Sequence, residues 1–337
     1  MPTIKDVAAA AKVSPTTVSL VMNGRGPEHR IPESTIERIR TAMRDLGYQP
    51  NLNARRLHDK DEHKPVIAFF WPLDYRANLM GYFLSLIQNA LKEKGKDCEL
   101  LVLPYINDRI SESCSELIKN NYTGAIIGAA SEKDIRYLES LDLQLPLVLI
   151  NRESNKYSTS GCDSNKIALQ AASLIRQKGY KKIALIQSGT RYMATSRRTE
   201  AFLFVCRQFG IQVPDGWIFH GINNPEGGAA AAESLCAQKE KPRMILCESD
   251  AMVSGVLYTL HRYGFRVPKD LELLSFATQN PQNTRYLIPS VSIVSMPSDD
   301  IVRQAVNALL AQISTRSREP VHIENEARIE LHESFTL

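Results

Sequence analysis

The sequence is poor in the residues that mark several protein classes. Its six cysteines, at 98, 114, 162, 206, 236 and 247, are scattered, with no CxxC pair and no histidine at ligand spacing. That argues against a disulfide framework or a zinc site and for free thiols in a reducing compartment. No apolar run approaches the roughly 18 residues that would mark a membrane span. The N-terminus offers Thr3 as a helix cap and the acidic Asp6 where a secretory signal would be basic and then apolar. The expected location is therefore the cytoplasm. Catalytic signatures are missing as well. There is no GxSxG, HExxH or P-loop, and NGRGPE holds only two glycines of a dinucleotide fingerprint, placed after a helix. The seven histidines have no evident nucleophile beside them. The expectation is a chain that is no enzyme and needs no cofactor or metal.

Net charge is scarce too, at +4 from 41 basic and 37 acidic side chains. It is unevenly spread. Residues 1–60 hold ten Lys/Arg and six Asp/Glu, and the rest of the chain holds 31 of each. A basic segment on a neutral body suggests a polyanionic partner for that segment.

That segment contains TIKDVAAAAKVSPTTVSLVMN, Thr3 to Asn23. Thr3 can cap a helix to about Ala11, with Ile4, Val7, Ala8 and Ala11 on one face. Lys12-Val13 makes a turn. Ser14 caps a second helix, Pro15 occupies its first position, and Asn23-Gly24 ends it. Two short helices joined this tightly form a helix-turn-helix, whose second helix enters the DNA major groove. Gly24 to Ile31 reads as a loop. Pro32 to Leu46 reads as a third helix that closes a small core through Ile36, Ile39, Met43 and Leu46. Arg38, Arg40 and Arg44 fall on its solvated face.

DVAAAAKVSPTTVSLVMNG resembles the signature DVAxxAGVSxxTVSxVxN of the LacI family of transcriptional regulators. Tyr48-Gln49-Pro50-Asn51 resembles that family's GYxPN junction, and the NLNARRLHDK that follows resembles its hinge helix. The resemblance implies that this segment orders on the operator. Leu57 then wedges into the minor groove, Ala54 packs against the groove and Arg55 adds positive charge. An apolar wedge of this kind unstacks a base step and bends the duplex. On the second helix, Thr16 can bond a base edge and touch a thymine methyl. Thr17, Ser19 and Asn23 suit phosphates, and Ser14 and Pro15 open the contact surface. Leu20 stands where many relatives carry Arg or His. It cannot donate to a guanine, so the family's operator code does not transfer unchanged.

From Pro65 the texture alternates between short apolar strands and helices. VIAFFW, a helix Tyr82–Lys94, CELLVLPY, a helix Ser111–Lys119, GAIIGAA, a helix Glu132–Leu141 and PLVLIN form one series. A second series runs from Asp163 to LELLSFA. Alternation of this kind gives parallel α/β sheets, here in two lobes. The resemblance implies a periplasmic-binding-protein-like effector domain with a ligand cleft between the lobes. The expected class is an all-α three-helix head plus hinge helix joined to a two-lobed α/β domain. The expected domains are 1–47, 48–64 and 65–337. The first lobe spans about 65–161 and 294–321, and the second about 162–293 and 322–337. Crossings fall near Gly161, Ile293 and Val321, with SIVS returning to the first lobe.

For the cleft, the resemblance points to Tyr82 and Phe83 as aromatics stacking on the effector. It gives Arg198, in RTEAF, as a clamp, with Ser249-Asp250 at a strand–helix turn and Asn151 where relatives often have an acid. Phe83 fits a core position equally well, and Asp250 a helix cap. SFATQNPQNTRY lacks the family's aspartate, and Gln279 can supply an amide instead. With no acid opposing Arg198, a ligand carrying negative charge suits the site better than a neutral hexose. The expected partners are an operator duplex, a small-molecule effector (a sugar, a sugar derivative or another metabolite) and a second copy of the chain, with no tetramerising tail. The alternatives are a solute-binding or sensor protein and an α/β enzyme. Loss of salt-dependent duplex binding on Leu57→Ala separates these classes.

Overall fold

A computed structural model describes residues 3–22, 24–46, 64–74, 76–118, 122–189, 193–277 and 281–337. The first unit is α1 (Ile4–Ala10), α2 (Pro15–Met22) and α3 (Glu33–Asp45). Thr3 and Asp6 form a capping box. The Thr3 N–H donates to Asp6 Oδ2 at 2.6 Å, and the Asp6 N–H donates to Thr3 Oγ1 at 3.4 Å. The backbone bond from Thr3, then its hydroxyl, hold the Asp6 carboxyl below the usual aspartate range. At the start of α2, Ser14 Oγ accepts the Thr17 N–H at 3.1 Å. Between them Lys12 has φ +52°, a left-handed conformation that costs an L-residue roughly 1–2 kcal/mol.

The three helices meet on Val7, Ala11, Val18 and Ile39, all fully buried. Arg40 and Arg44 pair with Glu37 in solvent, as a surface face should. Arg38 does not join them. Its Nε donates to Ala11 O at 2.9 Å, satisfying a carbonyl that the end of α1 leaves open.

The rest of the chain forms β1 (Val66–Pro72), α4 (Ala77–Glu93), β2 (Glu99–Tyr105), a 3-10 turn (Ile110–Glu112), α5 (Ser115–Ile118), β3 (Gly124–Gly128), α6 (Glu132–Ser140), β4 (Leu147–Ile150) and β5 (Ser158–Gly161). Next come α7 (Ser164–Gln177), β6 (Ala184–Ser188), α8 (Met193–Gln208), β7 (Ile218–Gly221), α9 (Pro225–Cys236), β8 (Met244–Cys247), α10 (Asp250–Arg262) and β9 (Glu272–Ala277). The last elements are α11 (Pro281–Thr284), β10 (Ser292–Ser295), α12 (Ser298–Thr315), β11 (His322–Glu324) and β12 (Arg328–Glu330). Two six-stranded sheets result, ordered β11-β5-β4-β3-β1-β2 and β12-β10-β9-β8-β6-β7. Every named pairing is parallel except β10 with β12.

Both faces of the central strands are covered, which is why β1, β3, β4 and β8 are apolar and buried along their whole length. In β1, Ala68 and Phe70 face one core while Ile67, Phe69 and Trp71 face the other, following the two-residue period of a strand. Among the described residues no helix is long and apolar enough to cross a membrane.

The structure corrects several expectations. SIVS does not return to the first lobe. It lies in the second sheet, with Ser292 beside Leu274 and Ile293 opposite Glu330. The chain passes between sheets after Gly161, after Ser295 and after Glu324. The expected crossings near Ile293 and Val321 therefore move downstream, because β10 pairs fully before the chain leaves and β11 adds a strand beside β5. The helix expected from Tyr82 begins five residues earlier, at Ala77. The helix expected over Ser111–Lys119 is a 3-10 turn and one α turn.

Candidate functional site

On α2, Ser14, Pro15 and Thr16 are exposed, and Thr17, Ser19 and Leu20 are half-buried. The Ser14 and Thr17 hydroxyls bond each other at 2.8 Å, so the start of the helix is internally tied. Thr16 is left as the exposed hydroxyl of the first turn. Such a helix offers one polar and one apolar probe, Thr16 and Leu20, to a groove. Asn23, Ala54, Arg55 and Leu57, with the expected hinge helix, lie outside the described residues, as does Gln279.

In open parallel sheets, ligands bind beyond the carboxyl ends of the strands. Asn151 follows β4 in the first lobe, and Ser249 and Asp250 follow β8 in the second. In the first lobe, two arginines organise the strand ends. Arg76 forms a bidentate pair with Asp74 and donates to Ala129 O at 2.6 Å and to Asn107 Oδ1 at 2.7 Å. Arg152 donates through Nε to Ala130 O and through a terminal nitrogen to Asn151 O at 2.6 Å. Asn151 follows β4 with φ +53°. Its N–H is bonded to Ser160 O, while its Oδ1 is buried with no hydrogen-bond partner. Neither Arg76 nor Arg152 was legible as a site residue, since an isolated arginine after a strand reads as surface.

Tyr82 is half-buried on α4. Burial raises its pKa, with Asp299 and the second-lobe Asp250 adding to the shift and Arg328 opposing it. Tyr82 on the first lobe is thus within electrostatic reach of Asp250 on the second. Phe83 does not face the cleft. It is 4% exposed and stacks on Trp71 at 4.9 Å, because helical spacing turns it onto the sheet when Tyr82 faces outward.

In the second lobe, Ser249 is the N-cap of α10. Its hydroxyl accepts the Ala251 N–H at 3.3 Å, and Asp250 occupies the first turn, where the helix dipole favours it. Arg198 is 2% exposed, and its guanidinium lies 5.1 Å from the ring of Phe276, near the end of β9. These strand ends also carry an acid that the sequence reading left out. Glu248, just after β8, is 4% exposed. It accepts from Ser188 N at 2.7 Å and from the hydroxyl of Thr199, the neighbour of Arg198, at 2.5 Å. The signal was present in CESDAM, as an acid directly after an apolar strand where parallel strands end. It was missed because charge normally reads as surface.

An open cavity of about 890 Å³ lies between the lobes. Asn151, Arg152 and Glu153 line it from the first lobe, and Arg197, Glu200 and Phe204 from α8 of the second. Of the effector residues expected from sequence, Asn151 alone is among its lining. Cys162 lies beside the cavity at the first crossing, and burial pushes its thiol up to about 11, aided by Asp163 and opposed by Arg198.

A helix-turn-helix unit in one chain with two parallel sheets facing across a cleft defines a ligand-responsive DNA-binding regulator. Residues 3–51 match the family described as bacterial regulatory proteins, lacI family, and residues 172–335 match the periplasmic binding protein-like domain. The chain belongs to the LacI family of transcriptional regulators. It is 27% identical to the HTH-type transcriptional repressor PurR of Escherichia coli O1:K1 / APEC, over 98% of this chain and 95% of the relative. A LacI family transcription regulator from Clostridium acetobutylicum has a structure 28% identical, with TM-score 0.75, covering 80% of this chain and 99% of that one. The transcriptional regulator CelR, solved as a cellobiose complex, shares the fold at 21% identity and TM-score 0.68, covering 99% of this chain and 100% of that one.

Proposed function

We propose that this chain is a sequence-specific DNA-binding transcriptional repressor whose operator affinity is set by a small molecule held between its lobes. The observation that carries this reading is the joining, in one chain, of a capped helix-turn-helix with two sheets whose carboxyl ends face each other. PurR is named a repressor, and CelR was solved with cellobiose, which supports both halves of the reading.

The division of labour follows residues 1–47, 48–64 and 65–337. Thr16 reads a base edge and Leu20 a thymine methyl. Ser14, Pro15, Thr17, Ser19 and Asn23 set the helix on the backbone. Ala54, Arg55 and Leu57 engage the minor groove. The protein acts as a cytoplasmic dimer on a palindromic operator, since two heads related by two-fold symmetry match two half-sites. Large apolar side chains stand exposed on both lobes, including Leu101 and Ile106 on the first and Tyr286 and Ile288 on the second. Burying them between two copies removes apolar surface from water.

The effector is a small polar metabolite, a sugar, sugar derivative or similar compound, with a negatively charged group directed at Arg198. Arg152 and Arg197 add positive charge at the mouth, and Glu248 is engaged by Ser188 and Thr199. Asn151 provides a neutral contact within the cavity, and Tyr82, Ser249, Asp250 and Gln279 are the further contacts that the family resemblance implies. The effector acts by linkage, favouring one lobe arrangement and so changing operator affinity by about 1–3 kcal/mol. None of these steps is catalytic.

Selection of bound duplexes from a random pool, repeated with candidate metabolites, tests the reading. The expected result is a palindromic duplex whose binding falls with salt, responds to one anionic metabolite, and is lost on Leu57→Ala or deletion of residues 1–60. Recovery of no preferred duplex contradicts it. If only neutral sugars bind in calorimetry, the proposed ligand class is wrong.

A further inference from the structure

Arg197 and Arg198 are neighbours on α8 with opposite surroundings. Arg198 is buried, while the Arg197 side chain is half exposed and reaches the other lobe. It lies 3.2 Å from Glu132, the first residue of α6, and 3.5 Å from Glu153, which follows β4. Both acids belong to the first lobe.

Two other ion-pair groups among the described residues join the lobes, and both sit beside crossings. Lys166 of α7 meets Glu324 of β11 at 2.5 Å. Arg328 of β12 meets Asp299 of α12 at 3.1 Å and also bonds Asp300. Groups next to a hinge barely separate when lobes rotate. The Arg197 contacts differ in joining α8 directly to α6 and to the residue after β4, so an opening that parts α8 from the first lobe breaks them.

We propose that Arg197, with Glu132 and Glu153, is an electrostatic latch that sets the fraction of molecules with closed lobes. The latch presupposes that the two-lobed module is the ligand-responsive half of the protein proposed above. Glu132 is shared, since Arg136 on the same helix approaches its other oxygen at 3.9 Å. That arrangement holds the acid near the position Arg197 needs. All of these side chains are solvent-accessible, so each contact is individually weak and screened by salt. A weak latch suits a module that must open and close, because a population shift needs only a modest bias between states.

The test uses the full chain with spin labels at Lys133 and Arg207, one on each lobe, diluted into unlabelled chain. Pulsed dipolar spectroscopy then gives the distance distribution. Arg197→Glu is expected to lower the short-distance fraction about three-fold or more, by placing like charges together. Glu132→Arg should do the same to a lesser degree. The combination Arg197→Glu, Glu132→Arg, Glu153→Arg should restore the wild-type distribution, which no simple loss of folding would allow. High salt should weaken the wild-type short-distance population. An unchanged distribution in Arg197→Glu overturns the latch. Affinity for a selected duplex is measured on the same variants. A shifted distance with unchanged duplex affinity leaves the latch standing and overturns the coupling of closure to DNA.

Discussion

The head and the two-lobed module hold themselves together by different means. The head core is Val7, Ala8, Ala11, Val18, Ile39 and Ala42, aliphatic side chains with no aromatic among them. The module covers both faces of two sheets and buries Phe69, Phe70, Trp71, Phe202 and Phe276. A small core supplies little stabilisation, so caps and turns decide whether the head folds. In the module, layered burial is abundant, and the sensitive points are close backbone contacts and buried charge.

This contrast can be broken from either side. Ile39→Ala removes the one large, fully buried side chain of α3. It should cost the head about 3 kcal/mol. Duplex binding should be lost while the melting of the module, followed by near-ultraviolet signals of Trp71 and Trp217, hardly moves. Gly255→Ala attacks the module alone. A Cβ there would sit 1.7 Å from Pro225 O, where α9 and α10 touch backbone to backbone. The helices must separate, at a cost of about 2–3 kcal/mol in chemical denaturation. Thr199→Val leaves one Glu248 oxygen without its 2.5 Å donor. A loss of about 2 kcal/mol is expected in the same measurement. The smallest effect has the opposite sign. Lys12→Gly relieves a φ of +52° and should stabilise the head by about 1 kcal/mol, read as slower amide exchange in α1 and α2.

The same contrast explains what the sequence disclosed. Thr3, Asp6, Ser14 and Pro15 act within one turn of themselves, so their caps could be read locally and the structure forms them. The apolar runs of β1, β3 and β8 announced buried parallel strands. Lobe membership was harder. SIVS is four buried residues whose sequence carries no label for either sheet, and only its pairing with β9 decides. STSG of β5 has no large apolar residue at all, and its buried hydroxyls are satisfied by distant backbone, as Ser160 is by Ile301 O at 2.8 Å. Within the second lobe, the placing of Arg198 on a helix was legible from the local pattern RTEAF. Long-range pairing was not legible. Glu248 and Arg152 gain their places from groups tens of residues away. Tyr82 and Phe83 show the limit within a single turn, since spacing alone did not say which ring faces the sheet.

The central claim is that the small-cored head reads DNA under control of the large-cored module. Fluorescence anisotropy of the full chain on its selected palindromic duplex, and on a scrambled duplex of equal composition, over a range of salt, tests it most directly. The account predicts that affinity falls log-linearly with salt on both duplexes and stays tighter on the palindrome throughout. Thr16→Ala should narrow that gap without changing the salt slope. Equal affinity for the two duplexes at every salt concentration would contradict the account.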